Sequence, residues 1–571
     1  MRLKIFVAGL MLVVFTSSAA AEQNLLEKVF NPTSDQSFVQ KFLGRYRPSA
    51  TVGTAAVTNQ TPEPAIQQLI REGSLPITVA DVIRFMVEGN LDVKLERFSP
   101  LTQQLLIDTL LKPFEPTLFL NANMRRNTGA TVSDLIASQS LTHSYSATFA
   151  QNFATGTGLS VTGAMNRISD NNAFNTFNPS YAGSITYRIN QNLLRDYGRN
   201  VNLRTLRVSK NNKTISDIQF EIDLITLVSS AQNLYWDLVF SREDIKVKQQ
   251  SLALAQKTLA DNNRQVEIGT LAPIEVTQTQ ANVATREEQM VLTNFASDQL
   301  QDRIKRMITS AGDPAMILAK LTPTEAVHRP NPDDVMPIED AIRYALENRP
   351  EMRQLDLSLK NNDLDIAYQK NQLLPQLNVS ASYTQSGVGG NQIDRATREI
   401  TSRGGVGDAF GQIFGYNYTG YGVGFSLTVP LSNKSQQAEY SRAVAQKQST
   451  EARRTLVAQN IALDVRNTYS AVDMNRQRII AAAKAKELAE RQLVAEQKKF
   501  ELGSGQIRFV LQEQQNVTAA QTSEIAALVN YTKALVEFDR AIGRTLKRNN
   551  IEIDKDLKIA VRDTKTMNAN Q

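Results

Sequence analysis

Two histidines, His143 and His328, are the only imidazoles in 571 residues, and the chain has no cysteine. Neither histidine has a second one nearby in sequence, so the ligand pattern of a zinc site is missing. Without cysteine there is no disulfide, thiolate ligand or thiol nucleophile. Lipid attachment at a mature N-terminal cysteine is excluded for the same reason. No glycine-rich phosphate loop occurs, and no carboxylate pair or catalytic triad can be located. The residue types therefore predict no catalysis, no bound metal and no cofactor. The formal charge of +6 falls to +4 once Arg2 and Lys4 are removed, and its even mixing gives no reason to expect nucleic acid.

The elements that organise the chain are more informative. Arg2 and Lys4, the apolar run Ile5 to Phe15 and the small residues Ala19-Ala20-Ala21 read as a secretory signal cut after Ala21. The alternative, a membrane anchor, is disfavoured because the run is shorter than the roughly 20 residues a spanning helix needs. No longer apolar run follows, so any membrane passage has to use strands of a closed barrel.

The chain also reads as one unit written twice. At an offset of 259, Asp81, Ile83, Arg84 and Glu88 match Asp340, Ile342, Arg343 and Glu347, and Pro116 matches Pro375. Further along the offset becomes 234: Asn233 and Tyr235 match Asn467 and Tyr469, Gly269 matches Gly503, and Gln278, Gln280 and Asn282 match Gln512, Gln514 and Asn516. The change of 25 places an insertion in the strand region of the first copy, where Ser144–Phe153 and Gly158–Met165 read as an additional hairpin.

Each copy runs short helix, strands, very long helix, tight turn, long helix. In the second copy helical spacing covers Ile338 to Leu373 and stops before Pro375. Leu377 to Tyr383 alternates with period two, Ser386 to Gly420 reads as a long loop, and Tyr421 to Val429 as a second strand. Lys434 to Leu502 contains neither proline nor glycine, which predicts a helix roughly 100 Å long. Ile461, Val465 and Val472, then Leu528, Tyr531, Leu535, Phe538 and Ile542, keep the 3-and-4 spacing of a coiled-coil seam. In the first copy Pro116–Met124, Ser144–Phe153, Gly158–Met165 and Ser184–Asn192 are candidate strands. Tyr145, Phe149 and Phe153 fall on one face, with Tyr187, Tyr383, Tyr421 and Phe425 in comparable positions. Such strands suit either a membrane barrel or a soluble sheet with one buried face. Export, and the absence of another core for them to cover, favour the barrel. Four long strands cannot close one alone, so the barrel reading demands an oligomer.

Over about residues 75 to 545 these features resemble the TolC-type outer-membrane efflux proteins. The matching residues are Ile268-Gly-Thr-Leu-Ala-Pro-Ile-Glu-Val276, Phe500-Glu-Leu-Gly-Ser504, Leu374-Pro-Gln-Leu377 and Gln191-Asn-Leu-Leu-Arg-Asp-Tyr-Gly198. The resemblance implies a mainly α fold with membrane β: a homotrimer sharing a 12-stranded barrel in outer-membrane lipid above a long periplasmic α-helical barrel, with two structural repeats. It divides the chain into a signal peptide (1–21), a weakly ordered N-terminal extension (22–74), a first repeat (75–311, strands about 116–192, long helices about 199–311), an equatorial linker (312–336), a second repeat (337–546, strands about 377–429, long helices about 434–546) and a C-terminal tail (547–571). The helix-hairpin turns at Gly269, Thr270, Leu271 and Glu275, and at Gly503, Ser504 and Gly505, would dock a periplasmic adaptor of an inner-membrane pump and gate the channel. The glycines also read simply as helix C-caps, and Glu275 as a solvated charge at a helix start. In the family acidic residues just past the second turn form the narrow selectivity ring. Here Phe509 and Gln512 stand there, with Glu513 adjacent, which puts cation-type gating in doubt and implies a hydrophobic constriction.

The expected function is a passive exit duct for efflux or type I secretion. The alternative is an exported coiled-coil structural or adhesive surface protein. An exported hydrolase is the weakest reading, since no catalytic set supports it.

Overall fold

The structure is a computed structural model that describes residues 70, 73–130, 136–172, 174–309, 317–394, 396–397, 399–553 and 559–561. The expected signal peptide (1–21) and nearly all of the expected extension (22–74) lie outside the described residues, as do residues 310–316 and 562–571.

The description opens with strand β1 (Ser74–Ile77) and helices α1 (Val79–Gly89), α2 (Leu91–Glu96) and α3 (Phe98–Thr109). Thr78 and Asp81 start α1 as a capping box: each backbone N–H donates to the other's side chain at 3.1 Å, satisfying two donors the helix leaves open. Four strands follow, β2 (Thr117–Thr128), β3 (Gln139–Asn152), β4 (Thr157–Asp170) and β5 (Phe177–Asn192). A short α4 (Arg199–Asn202) leads into α5 (Arg204–Glu267), which turns into α6 (Pro273–Ile308). After β6 (Lys320–Pro323) come α7 (Ile338–Asn348), α8 (Pro350–Gln372), β7 (Gln376–Ile393), β8 (Ile400–Ser402), α9 (Val406–Phe414) and β9 (Tyr418–Thr428). Then α10 (Lys434–Glu501) turns into α11 (Ile507–Ala541), followed by α12 (Thr545–Arg548), β10 (Ile551–Ile553) and β11 (Ile559–Val561).

The 64 residues of α5 and 68 of α10 make helices about 96 and 102 Å long. Their packing follows the heptad pattern. Ile461, Val465, Val472, Tyr531, Leu535, Phe538 and Ile542 form one buried cluster between α10 and α11. A second, larger core joins α1 and the parallel β1–β6 pair to the middle of α5, through Phe85, Leu75, Ile77, Leu321, Leu224 and Tyr235. Burial pushes the Tyr235 phenol up to about 12, and its hydroxyl donates to the Ile77 carbonyl at 3.3 Å. Beside the other core, burial would raise the Asp334 carboxyl, yet hydrogen bonds from the Tyr531 hydroxyl, the Asn331 amide and His328 hold it below the usual range. Both cores thus tie the segment between α6 and α7 to a long helix. No described helix is long and apolar enough to cross a membrane.

The long strands form one antiparallel sheet in the order β2-β3-β4-β5-β7, with β9 and the short β8 sharing the far edge of β7. Its register sorts side chains by chemistry. One row crosses all six long strands as Leu118, Phe149, Val161, Tyr187, Tyr383 and Tyr421; the Tyr187 and Tyr383 rings lie 6.4 Å apart. Neighbouring positions on that face carry Leu159, Ile189, Val379, Val423, Phe425 and Leu427. The opposite face carries a row of Thr148, Thr162, Thr186 and Thr384, with hydroxyl–hydroxyl distances of 3.1 Å for the first and last pairs. Serine and asparagine fill most of the rest of it. Period-two alternation therefore gives this sheet one mainly apolar and one mainly polar face, with Phe119 of β2 the exception in the threonine row.

The chain brings six long strands to one sheet, where a 12-stranded trimer takes four from each copy, because the inserted hairpin β3–β4 pairs between β2 and β5. Two expectations need correction. The span Ile338 to Leu373 is two helices: Pro350 has no N–H to continue the first and instead occupies the start of the second. The stretch Ser386 to Gly420 is not a loop, since β7 continues to Ile393 and β8 and α9 follow. Ser74 belongs to β1, and the expected linker 312–336 contains β6.

Candidate functional site: helix turns, seam and sheet wall

At both hairpin turns the chain closes in the same way. Gly269 and Gly503 have φ of 78° and 75°, the left-handed region where a Cβ is costly. The Gly269 N–H donates to the Val266 carbonyl at 3.0 Å and the Thr270 N–H to the Gln265 carbonyl at 2.8 Å. At the second turn Gly503 donates to Phe500 at 2.9 Å and Ser504 to Lys499 at 3.0 Å. The Thr270 and Ser504 hydroxyls donate to those same last carbonyls at 3.0 and 3.1 Å. This paired closure satisfies carbonyls that the helix end leaves free. The N–H groups of Leu271 and Gly505 reach the same two acceptors at 3.3 and 3.0 Å, but only Gly505 is cramped: an added Cβ would lie 2.9 Å from the Phe500 nitrogen.

The residues just before each glycine belong to the quoted turn motifs but were not singled out as site residues. Ile268 and Leu502 are 73% and 83% exposed, so each turn presents an aliphatic side chain to solvent. Their shared offset from the two glycines is the signal that could have found them. Glu275 sits in the first turn of α6 behind Pro273; among the described residues no cation pairs with it.

Phe509, Gln512 and Glu513 lie on the first two turns of α11. Ile507, Val510 and Val517 pack against Leu493 of α10, which leaves Phe509 and Gln512 on the other side, exposed. The Arg508 guanidinium stands 4.7 Å from the Phe509 ring centroid, within cation–π reach. Gln512 donates to Asn516 at 3.2 Å, and Glu513 accepts from Asn516 at 3.1 Å. The expected apolar constriction thus has a cation and amides beside its phenyl ring. No described hydrogen bond joins the 269–275 turn to 503–513. They are linked one step back, where Gln514 donates to Thr258 at 3.1 Å.

That contact begins a polar seam between the two hairpins. Thr518 meets Ser251 at 3.0 Å, Thr522 meets Asp244 at 2.7 Å, Lys533 meets Asp237 at 2.7 Å, and Asn233 meets Glu537 at 2.7 Å. On α5 the first four positions, 258, 251, 244 and 237, are spaced by seven, a polar heptad that a search for apolar periodicity passes over. The bonds between neutral partners contribute about 0.5–1.5 kcal/mol net and those to a charged group about 1.5–3 kcal/mol. A buried aliphatic side chain, like those inside the α10–α11 hairpin, contributes about 1.5–3 kcal/mol.

Comparisons with known proteins meet this geometry. The profile of the family described as "Outer membrane efflux protein" matches residues 341–544, from α7 to the end of α11. This stretch of the chain is similar to an outer membrane efflux protein domain. The pyoverdine export outer membrane protein OpmQ of Pseudomonas aeruginosa is 23% identical over 378 residues, 66% of this chain and 71% of that one. Among solved structures, the channel CusC superposes with a TM-score of 0.59 at 11% identity, over 86% of this chain and 96% of CusC. The outer membrane channel CmeC of Campylobacter jejuni gives 0.58 at 14% identity, over 86% and 90%. At these identities the superpositions speak for the fold, which is TolC-like. The profile match and the likeness to OpmQ support an efflux duct of the outer membrane with a large periplasmic helical part.

Proposed function

We propose that three copies of the chain share one barrel and one helical tube, and that the barrel has eighteen strands. The observation that carries this is the open six-stranded sheet. β2 and β9, its two edges, are exposed along their entire lengths, a condition that invites pairing. Because the six strands alternate in direction, the β2 of one copy meets the β9 of the next antiparallel. Closure removes every edge, which a membrane barrel requires. The apolar face then meets lipid and the threonine–serine–asparagine face lines the lumen.

The four long helices of each copy would continue the wall below. The exposed Ile268 and Leu502 at the turns suit a periplasmic adaptor that links the duct to an inner-membrane pump, with Gly269, Thr270, Leu271, Gly503, Ser504 and Gly505 shaping the surface. Phe509, Gln512 and Glu513 would narrow the pore, and Glu275 would stand beside the same opening. OpmQ's name records pyoverdine export, and a polar wall of this kind suits the passage of a polar compound.

Crosslinking tests the closure, helped by a chain without native cysteine. With Leu120→Cys on β2 and Val423→Cys on β9, a short bismaleimide should give covalent dimers and trimers in isolated membranes. Each single variant should give no trimer. A double variant that stays monomeric in the outer-membrane fraction would contradict the edge-to-edge assembly.

A further inference from the structure

Helix α9 lies on the apolar face of the sheet, at the end remote from the long helices, on a seat paved with glycine. A Cβ added at Gly387 would run into the Ala409 carbonyl oxygen, and one at Gly389 into the Gly405 carbonyl. At Gly183 it would come within 2.9 Å of the Ile413 side chain. The Val388 N–H donates to the Gln412 side chain at 2.9 Å, and Ala409 and Ile413 are fully covered. The helix is therefore docked at backbone distance.

Its other side is aromatic. The Phe410 and Phe414 rings stack at 6.2 Å, and Phe414 and the following Tyr416 are 57% and 56% exposed. The sheet beneath fixes their height. Apolar rows lead to the Phe149–Tyr187–Tyr383–Tyr421 row. Two rows beyond it comes Tyr145, Met165, Gly183 and Gly387, and then Met124, His143, Arg167, Tyr181 and Gly389. Hydrocarbon-facing, aromatic and then cationic side chains follow one another on the same face, which is the order met on leaving a bilayer. The helix sits at the cationic level.

We propose that α9 is an interfacial anchor on the outside of the barrel, lying along the boundary between headgroups and acyl chains with Phe410 and Phe414 turned into the lipid. This rests on the outer-membrane barrel reading above. The helix leaves the lumen clear and braces the barrel against sliding along the membrane normal.

Nitroxide labels on single cysteines test it. Phe414→Cys, Val423→Cys in the middle of the apolar face and Thr162→Cys on the polar face are each labelled in the full-length protein. Each is reconstituted in phosphatidylcholine–phosphatidylglycerol vesicles and read for collision with oxygen and with a water-soluble nickel chelate. The expected ratio of oxygen to nickel accessibility is several-fold higher at positions 414 and 423 than at 162. Adding Gly387→Leu, which displaces the Ala409 carbonyl, should lower the ratio at 414 severalfold and leave 423 unchanged. A nickel-accessible 414 beside an oxygen-accessible 423 overturns the anchor and spares the barrel. A nickel-accessible 423 overturns the barrel reading and the anchor with it. Should Phe414→Cys fail to assemble, Tyr416→Cys reports the same surface and is read by the same criteria.

Discussion

Arginine at Val423 should abolish recovery of the oligomer from the outer membrane, whereas arginine at Ser426, three residues on, should leave it largely intact. The two side chains belong to one strand but to opposite faces: Val423 pairs with Ala381 in an apolar row and is 65% exposed, and Ser426 pairs with Asn378 in a polar one. On a lipid-facing barrel surface an arginine near the midplane costs about 2–4 kcal/mol, and a lumen-facing one is solvated. With three copies in the proposed barrel the cost triples. That is comparable with the whole stability of many folded proteins, about 5–15 kcal/mol. The measurement is the fraction of chain found as oligomer in the outer-membrane fraction. Equal tolerance of both variants would mean that lipid does not cover the apolar face.

The second large effect concerns ion passage. In the proposed three-fold pore, Phe509→Asp combined with Gln512→Asp would place six carboxylates where three phenyl rings and three amides stand. Carboxylate rings attract and hold cations. Single-channel recordings of the double variant should show strong cation selectivity and block by multivalent cations at concentrations at least about tenfold below those affecting the unsubstituted protein, an affinity gain of about 1.4 kcal/mol. The Arg508 guanidinium at the Phe509 ring would become a partner of the new carboxylate, so Arg508→Ala should sharpen the block further. Unchanged selectivity and block would remove these residues from the conducting path.

The turns were legible in the sequence because their physics is local. A glycine that ends a proline-free helix of more than sixty residues has one role, and the matching hydrogen bonds at Gly269 and Gly503 depend on few neighbours. The helix seams were legible for the same reason, through the spacing of Ile461, Val465, Tyr531 and Phe538. What the sequence hid was non-local. β5 pairs with β7 although Tyr187 and Tyr383 are separated by almost two hundred residues, and no period-two pattern says which strand lies beside which. The inserted hairpin could be recognised as strands, but its place within the sheet depends on that pairing. α9 was read as loop because Gly404 and Gly405 stand before it and Gly407 and Gly411 lie among its nine residues. Contact with Gly387 and Gly389, rather than intrinsic propensity, holds it in helical form. The polar seam on α5 was missed because its heptad carries Asp, Ser and Thr.

Single-particle imaging of the full-length chain in a lipid disc tests the central claim most directly. The account predicts a three-fold particle with eighteen strands crossing the lipid, their polar face inward, and the paired long helices of all three copies forming one hollow wall below. A monomeric particle would contradict it. So would a barrel in which β3 and β4 lie outside the closed sheet.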